Sequence, residues 1–379
     1  MLGVKLFAKF QETKSKNGED ILSMVKEKIN LWRSGKYMSL TSRPFSVNTY
    51  ALSKLWYRVA VTDIKVGDCD KIYSSIKSWM YADLIVKPQE ELIFRSIKEG
   101  GLGLQNIQAK ASANLITSFI QTSINKEFIT NDYSRAIFDY YINEVGCRDP
   151  GRPPWISGSV ISEIKEAIRE GVCIQKMKIK DWYLRLIEKV THEQVEDGAV
   201  VLKQSRMEFL YPHIDHLNSA RNIRQEGLHA DLVSVLFMLK NDLLPTKERL
   251  KRLNLCERED CEGCGRRDDQ GHYLVCVRNS EMCRPFLEFV AKKNANIQFY
   301  HIIHCDFSLS LNEGFSCVWI LAQITKYIWA CRRKGVTCDF NKLKGILSAE
   351  IKILAQMHMY EKRVKRIKYD IGNMFNITL

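Results

Sequence analysis

Cys261-Glu262-Gly263-Cys264-Gly265-Arg266-Arg267-Asp268-Asp269-Gln270-Gly271-His272-Tyr273-Leu274-Val275-Cys276 places three thiols and one imidazole within sixteen residues. A Cys-x2-Cys turn lets two thiolates reach one ion, and His272 and Cys276, four apart, share one face of a helical turn. Gly265, directly after Cys264, suits a left-handed backbone that turns N–H groups toward sulfur. Three thiolates and an imidazole fill a tetrahedral shell and leave no open position. The set Cys261, Cys264, His272 and Cys276 therefore predicts one structural zinc ion rather than a catalytic one. The polar stretch from Cys256 to His272 has little to bury, so metal is expected to supply its folding free energy. Cys256 and Cys283 flank the cluster, and either could replace one of the four.

Outward from this knuckle the chain reads as mainly α. Leu244-Pro245-Thr246 introduces a helix over Lys247–Leu253. Apolar spacing predicts helices around Ile21–Trp32, Val47–Val59, Ile72–Met80, Ile107–Ile124, Ser157–Glu170, Ile179–Lys189, Glu313–Arg333 and Asn341–Lys368. Leu2 to Phe7 is the one candidate strand near the start, and Gly100-Gly101-Leu102-Gly103-Leu104 is a turn. Gly146-Cys147-Arg148-Asp149-Pro150-Gly151-Arg152-Pro153-Pro154 reads as a linker. Absence of βαβ alternation argues against a doubly wound sheet.

Charge is unevenly spread. Residues 1–110 carry 18 Lys/Arg against 11 Asp/Glu (net +7), residues 321–379 carry 12 against 4 (net +8), and the middle carries 27 against 29 (net −2). Two basic ends suggest a polyanionic partner, RNA or DNA first; basic helices that merely solvate a surface are the alternative. No membrane span is expected, because Cys317–Cys331 is too short and holds Lys326. The start lacks a signal-peptide core. The twelve cysteines read as reduced thiols of an intracellular protein.

Several stretches together resemble LINE-type non-LTR retrotransposon reverse transcriptases. Leu244-Pro245-Thr246-Lys247-Glu248-Arg249-Leu250 stands where that family has an L-P-T-x-x-R-L segment before its zinc-binding motif. Trp32 and Ser39-Leu40-Thr41-Ser42-Arg43-Pro44-Phe45-Ser46-Val47-Asn48 resemble its W…LSLxGRxxVIN stretch, with Ser42 where glycine is usual. Gly100 to Leu104 is similar to its GGLGL turn, and Leu2-Gly3-Val4 to the strand leaving the polymerase palm. Trp319, Ile328-Trp329 and Arg332-Arg333 are similar to the helices after the zinc motif.

The resemblance implies a thumb-like helical region over 1–145, a linker over 146–156 and a helical connector over 157–243. A reverse transcriptase zinc-binding domain over 244–285 and a C-terminal helical region with a basic tail over 286–379 would follow. It also implies a chain that begins just after the palm. The family's polymerase needs adjacent palm aspartates for metal ions, yet the sole Asp-Asp pair, Asp268-Asp269, lies inside the zinc loop. The chain is therefore expected not to be an enzyme but to grip nucleic acid, with the rest of a reverse transcriptase polyprotein as a further partner. A protein-interaction scaffold derived from the element, or a decayed remnant without a selected role, are the alternatives.

Arg43, Lys54 and Arg58 are the candidate phosphate contacts near the start, and Lys362, Arg363, Lys365 and Arg366 those near the end. The run Lys362-Arg363-Val364-Lys365-Arg366-Ile367-Lys368 reads equally as a nuclear import signal or as one charged face of the final helix. Trp32, Trp56, Tyr57 and Trp79 interleave with Lys36, Arg43, Lys54 and Arg58; stacking on unpaired bases competes with a core role, which the helical spacing favours. His213 with His216, and His301 with His304 beside Cys305, are read as surface or core histidines rather than ligands.

Overall fold

The structure is a computed structural model that describes residues 10–32, 38–59, 66–124, 131–144, 158–194, 200–202, 206–357 and 360–376. The expected strand at Leu2–Phe7, Lys36 and the 146–156 linker lie outside the described residues. Helices dominate, as the spacing predicts; among the described residues one short antiparallel pair joins His192–Gln194 to Val200–Leu202. The chain divides into two compact units. One comprises Met1–Met38, Arg43–Ala82 and Gly103–Lys203; the other comprises Ser39–Ser42, Asp83–Leu102 and Gln204–Leu379. The expected connector over 157–243 is thus shared between the units, while 244–285 and 286–379 lie together in the second.

In the first unit the Ile107–Ile124 helix is the centre, packed against the Asn131–Tyr141, Gly158–Arg169 and Ile179–Thr191 helices. Val160, Ile161, Ile164 and Ala167 recur with helical period and face this core, which also holds the fully buried Trp182. On the outer side Lys189 meets Glu163 at 2.7 Å and Arg185 meets Glu170 at 2.8 Å, aligning the last two helices. The predicted Val47–Val59 helix is interrupted: Arg43–Ser46 and Ser53–Val59 flank a π-turn over Val47–Ala51. Asn48 explains the interruption, since its side chain donates to Gly103 O at 2.9 Å and accepts from Gln105 N at 3.0 Å.

In the second unit the Leu311–Lys334 helix is apolar on nearly every face and is correspondingly buried, with Phe315, Val318, Ile320, Leu321, Ile324 and Ile328 inaccessible. It packs on the Ala230–Lys240 and Glu361–Phe375 helices and ends at Gly335, whose φ of 65° provides the left-handed cap. Among the described residues no helix is long and apolar enough to cross a membrane. The single helical pattern over 341–368 is two helices, Phe340–Ala355 and Glu361–Phe375. The turn after Ser96 confirms its sequence reading. Gly100 has φ of 84°, and a Cβ on Gly101 would lie 2.1 Å from Arg95 O.

Candidate metal centre

Thr246 caps the Lys247–Arg252 helix by accepting from Arg249 N at 3.3 Å, and the backbone N–H groups of Lys247 and Glu248 hold the helix N-terminus against the knuckle loop by donating to Asp268. The loop is a tight two-way strap. Asp268 N bonds Glu259 O at 2.8 Å, Cys261 N bonds Arg266 O at 2.7 Å, and Gly265 N closes the turn on Cys261 O at 2.9 Å. Gly265 has φ of 69°, the left-handed conformation its position predicts. The chain then re-enters helix at His272–Val275, where the Asp269 carboxylate accepts His272 N at 2.7 Å. Cys276 ends that turn, its N–H bonded to His272 O at 2.9 Å.

This geometry brings the ligand atoms of Cys261, Cys264, His272 and Cys276 within 4.8 Å of one another, the one such group among the described residues. Cys264 Sγ stands 3.3 Å from His272 Nε2, and Cys261 Sγ 3.9 Å from Cys276 Sγ. Gly263 N points at Cys261 Sγ from 3.4 Å, as amides around thiolates do. Burial pushes the Cys261 thiol up, but hydrogen bonds from His272, from the Gly263 and Cys264 amides and from Cys276 outweigh it, bringing the group to about 7. Burial, together with the neighbouring Cys261 and Cys264, pushes Cys276 up to about 11. Four soft or borderline donors so gathered fit one zinc ion, whose charge would hold all three sulfurs as thiolates. The two flanking cysteines stand apart from the group: Cys256 Sγ donates to Lys247 O at 3.3 Å, and Cys283 is buried in the Ser280–Lys293 helix.

Asp268 and Asp269 hold the loop. Asp268, inaccessible to solvent, accepts Lys247 N at 2.8 Å and pairs with Arg332 from the Leu311–Lys334 helix, whose guanidinium stacks on Tyr273 at 4.7 Å. The spacing of the cysteines gives no sign of Asp268, because its partners come from 21 and 64 residues away.

The candidate phosphate contacts divide by exposure. Arg43 is buried, not at the surface where a phosphate could meet it; its Nε donates to Met38 O at 3.1 Å and Nη1 to Met80 O at 2.5 Å. Lys54 is exposed and Arg58 half-buried on the Ser53–Val59 helix. On the final helix Lys362 and Lys365 are exposed, with Lys365 paired to Glu361 at 2.6 Å. Arg363 instead stacks on Phe315 at 4.6 Å, and Arg366 is tied to Asp370 at 3.0 Å and Glu313 at 2.8 Å. Val364 and Ile367 face the core between them. Trp32 packs on Trp79 at 5.7 Å and on Tyr50 at 6.0 Å, and Trp56 is half-buried. The side chain of Tyr57 lies outside the described residues.

The two histidine pairs, whose members are 88 residues apart in the chain, are brought together. His213 lies 6.0 Å from His301 and His216 5.9 Å from His304 by ring centroids. His304 is buried; burial, then the neighbouring His216, Lys240, His213 and His301, push it down to about 3. No protein-family model matches the chain, and no curated protein does.

Proposed function

We propose that the chain is a non-catalytic nucleic-acid-gripping region of the kind that lies behind the polymerase centre in LINE-type reverse transcriptases, with Cys261, Cys264, His272 and Cys276 holding one structural zinc ion. The observation that carries the reading is the convergence of those four donors within 4.8 Å, directly after the helix that Leu244-Pro245-Thr246 opens. The ordered motifs that resemble that family and the net +8 over residues 321–379 support it. The only adjacent aspartates, Asp268 and Asp269, serve the loop itself, which supports a role other than phosphoryl transfer.

Zinc would supply the crosslink that fixes the loop; the chain's own residues would do the gripping. Lys54, Lys362 and Lys365, exposed on helical faces, meet backbone phosphates, so affinity falls steeply with salt. Arg363 and Arg366 act by fastening the final helix. RNA or DNA is the partner, with the remainder of a polyprotein beside it, and the basic run is consistent with action in the nucleus. The test is an anisotropy titration with RNA and DNA at two salt concentrations. Binding that weakens strongly with salt is the expected result. Affinity no greater than for a neutral polymer at low salt sinks the reading.

A further inference from the structure

On the second unit, a cleft of about 620 Å³ opens beside the knuckle, between it and the segments around Tyr211 and Phe299–Ile303. Its walls carry three aromatic side chains, Tyr211, Phe299 and Tyr300, and three guanidinium groups, Arg252, Arg266 and Arg267. The zinc-ligating His272 and its neighbour Gly271 form part of the same wall. The rings continue behind the cleft as a ladder. Tyr300 touches His213 at 4.2 Å and His301 at 4.7 Å, and Tyr211 touches His304 at 4.8 Å. Tyr211 and Tyr300 lie 6.2 Å apart and only 32° from parallel.

Three carboxylates also face this space, and each is engaged. Asp242 pairs with Arg252 at 3.0 Å, Glu248 with Arg267 at 3.0 Å, and Asp269 accepts His272 N at 2.7 Å. Arg266 is exposed on the knuckle turn and has no ion pair among the described residues. Aromatic side chains lining the cleft and braced by neighbouring rings, with an unneutralised guanidinium at the rim, offer a surface on which a base can stack while its phosphate meets arginine. Duplex bases, already stacked on each other, have no free face to offer it.

Resting on the nucleic-acid reading above, the geometry points to this cleft as the site where an unpaired strand is held, one base against Tyr300 and the adjoining phosphate against Arg266. Stacking tolerates any base, so the site discriminates strandedness rather than sequence.

The test uses the zinc-loaded full chain, with labelled single-stranded RNA and DNA of about 12 nucleotides and the matching duplex, read by anisotropy. Tyr300→Leu and Arg266→Gln should each weaken single-strand binding about tenfold and leave duplex binding within about twofold, whereas Tyr300→Phe, which keeps the ring, should bind as the wild type does. Zinc content and far-UV circular dichroism check folding, and Arg266→Gln, at an exposed position, remains decisive if Tyr300→Leu is disturbed. A wild type that binds single strands, with Arg266→Gln and a folded Tyr300→Leu unchanged, overturns the cleft and leaves the broader reading standing. A wild type that binds no nucleic acid overturns both.

Discussion

The Asp268 carboxylate accepts the backbone N–H of Lys247 at 2.8 Å, joining the Cys261–Cys276 loop to the start of the helix that precedes it. The same oxygen pairs with Arg332, so one inaccessible side chain ties knuckle, entry helix and the Leu311–Lys334 helix together. Removing one member of a buried pair leaves the other uncompensated, at a cost of about 3 kcal/mol. Asp268→Ala should lower stability by about that amount, and Asp268→Asn, which keeps an acceptor for Lys247, by less. Urea denaturation checks both; a loss under about 0.5 kcal/mol in Asp268→Ala contradicts the role.

Glycines separate backbone need from tolerance. A Cβ at Gly101 would collide with Arg95 backbone at 2.1 Å, so Gly101→Ala is expected to be severely destabilising. Gly265 has open space around it but φ of 69°, so Gly265→Ala should cost about 1 kcal/mol through strain alone. Gly345, inside the Phe340–Ala355 helix with nothing within 4 Å of its Cβ position, should stabilise by about 0.5–1 kcal/mol as alanine. Thermal unfolding gives the order; a Gly345→Ala variant less stable than wild type would contradict the open helical setting of that position.

The Cys3His cluster, the Gly265 turn and most helices are legible because their causes are local: donor spacing, backbone sign and apolar period within a few residues. The π-turn at Val47–Ala51 was not, since it depends on Asn48 reaching Gly103 and Gln105 across 55 and 57 residues. Arg43 looked like a phosphate contact because sequence records its charge but not the Met38 and Met80 carbonyls it meets. The meeting of His213–His216 with His301–His304 was equally hidden, being a product of tertiary packing.

His304 is expected to make the second unit sensitive to acid. Burial and four cationic or protonatable neighbours hold its folded value down to about 3, below the roughly 6.5 of an unfolded chain. The unfolded state therefore binds the proton more tightly. Stability from this group is complete above about pH 6.5 and falls toward pH 3, by at most about 1.4 kcal/mol per unit. Acid would also displace a zinc ion held by the Cys3His group, so the informative quantity is the difference between variants. Equilibrium denaturation should show a shallower acid slope for His304→Leu than for wild type, and equal slopes sink the assignment.

The final helix separates fastening from gripping. Arg366→Ala removes partners from the buried Asp370 and from Glu313, so stability should drop by about 2 kcal/mol. Lys362→Ala should leave stability within about 0.5 kcal/mol and reduce the salt dependence of nucleic-acid binding by about one phosphate contact. Denaturation and salt-series titrations read the two effects separately. A Lys362→Ala variant with an unaltered salt slope removes that residue from the interface.

The most direct measurement is the zinc content of the purified chain, paired with the same measurement on Cys264→Ser. The account predicts one zinc per chain in the wild type, carried by Cys261, Cys264, His272 and Cys276. It predicts loss of that zinc in the variant, together with unfolding of the segment the loop organises. A wild-type stoichiometry well below one, or a Cys264→Ser chain that keeps both its metal and its stability, would contradict it.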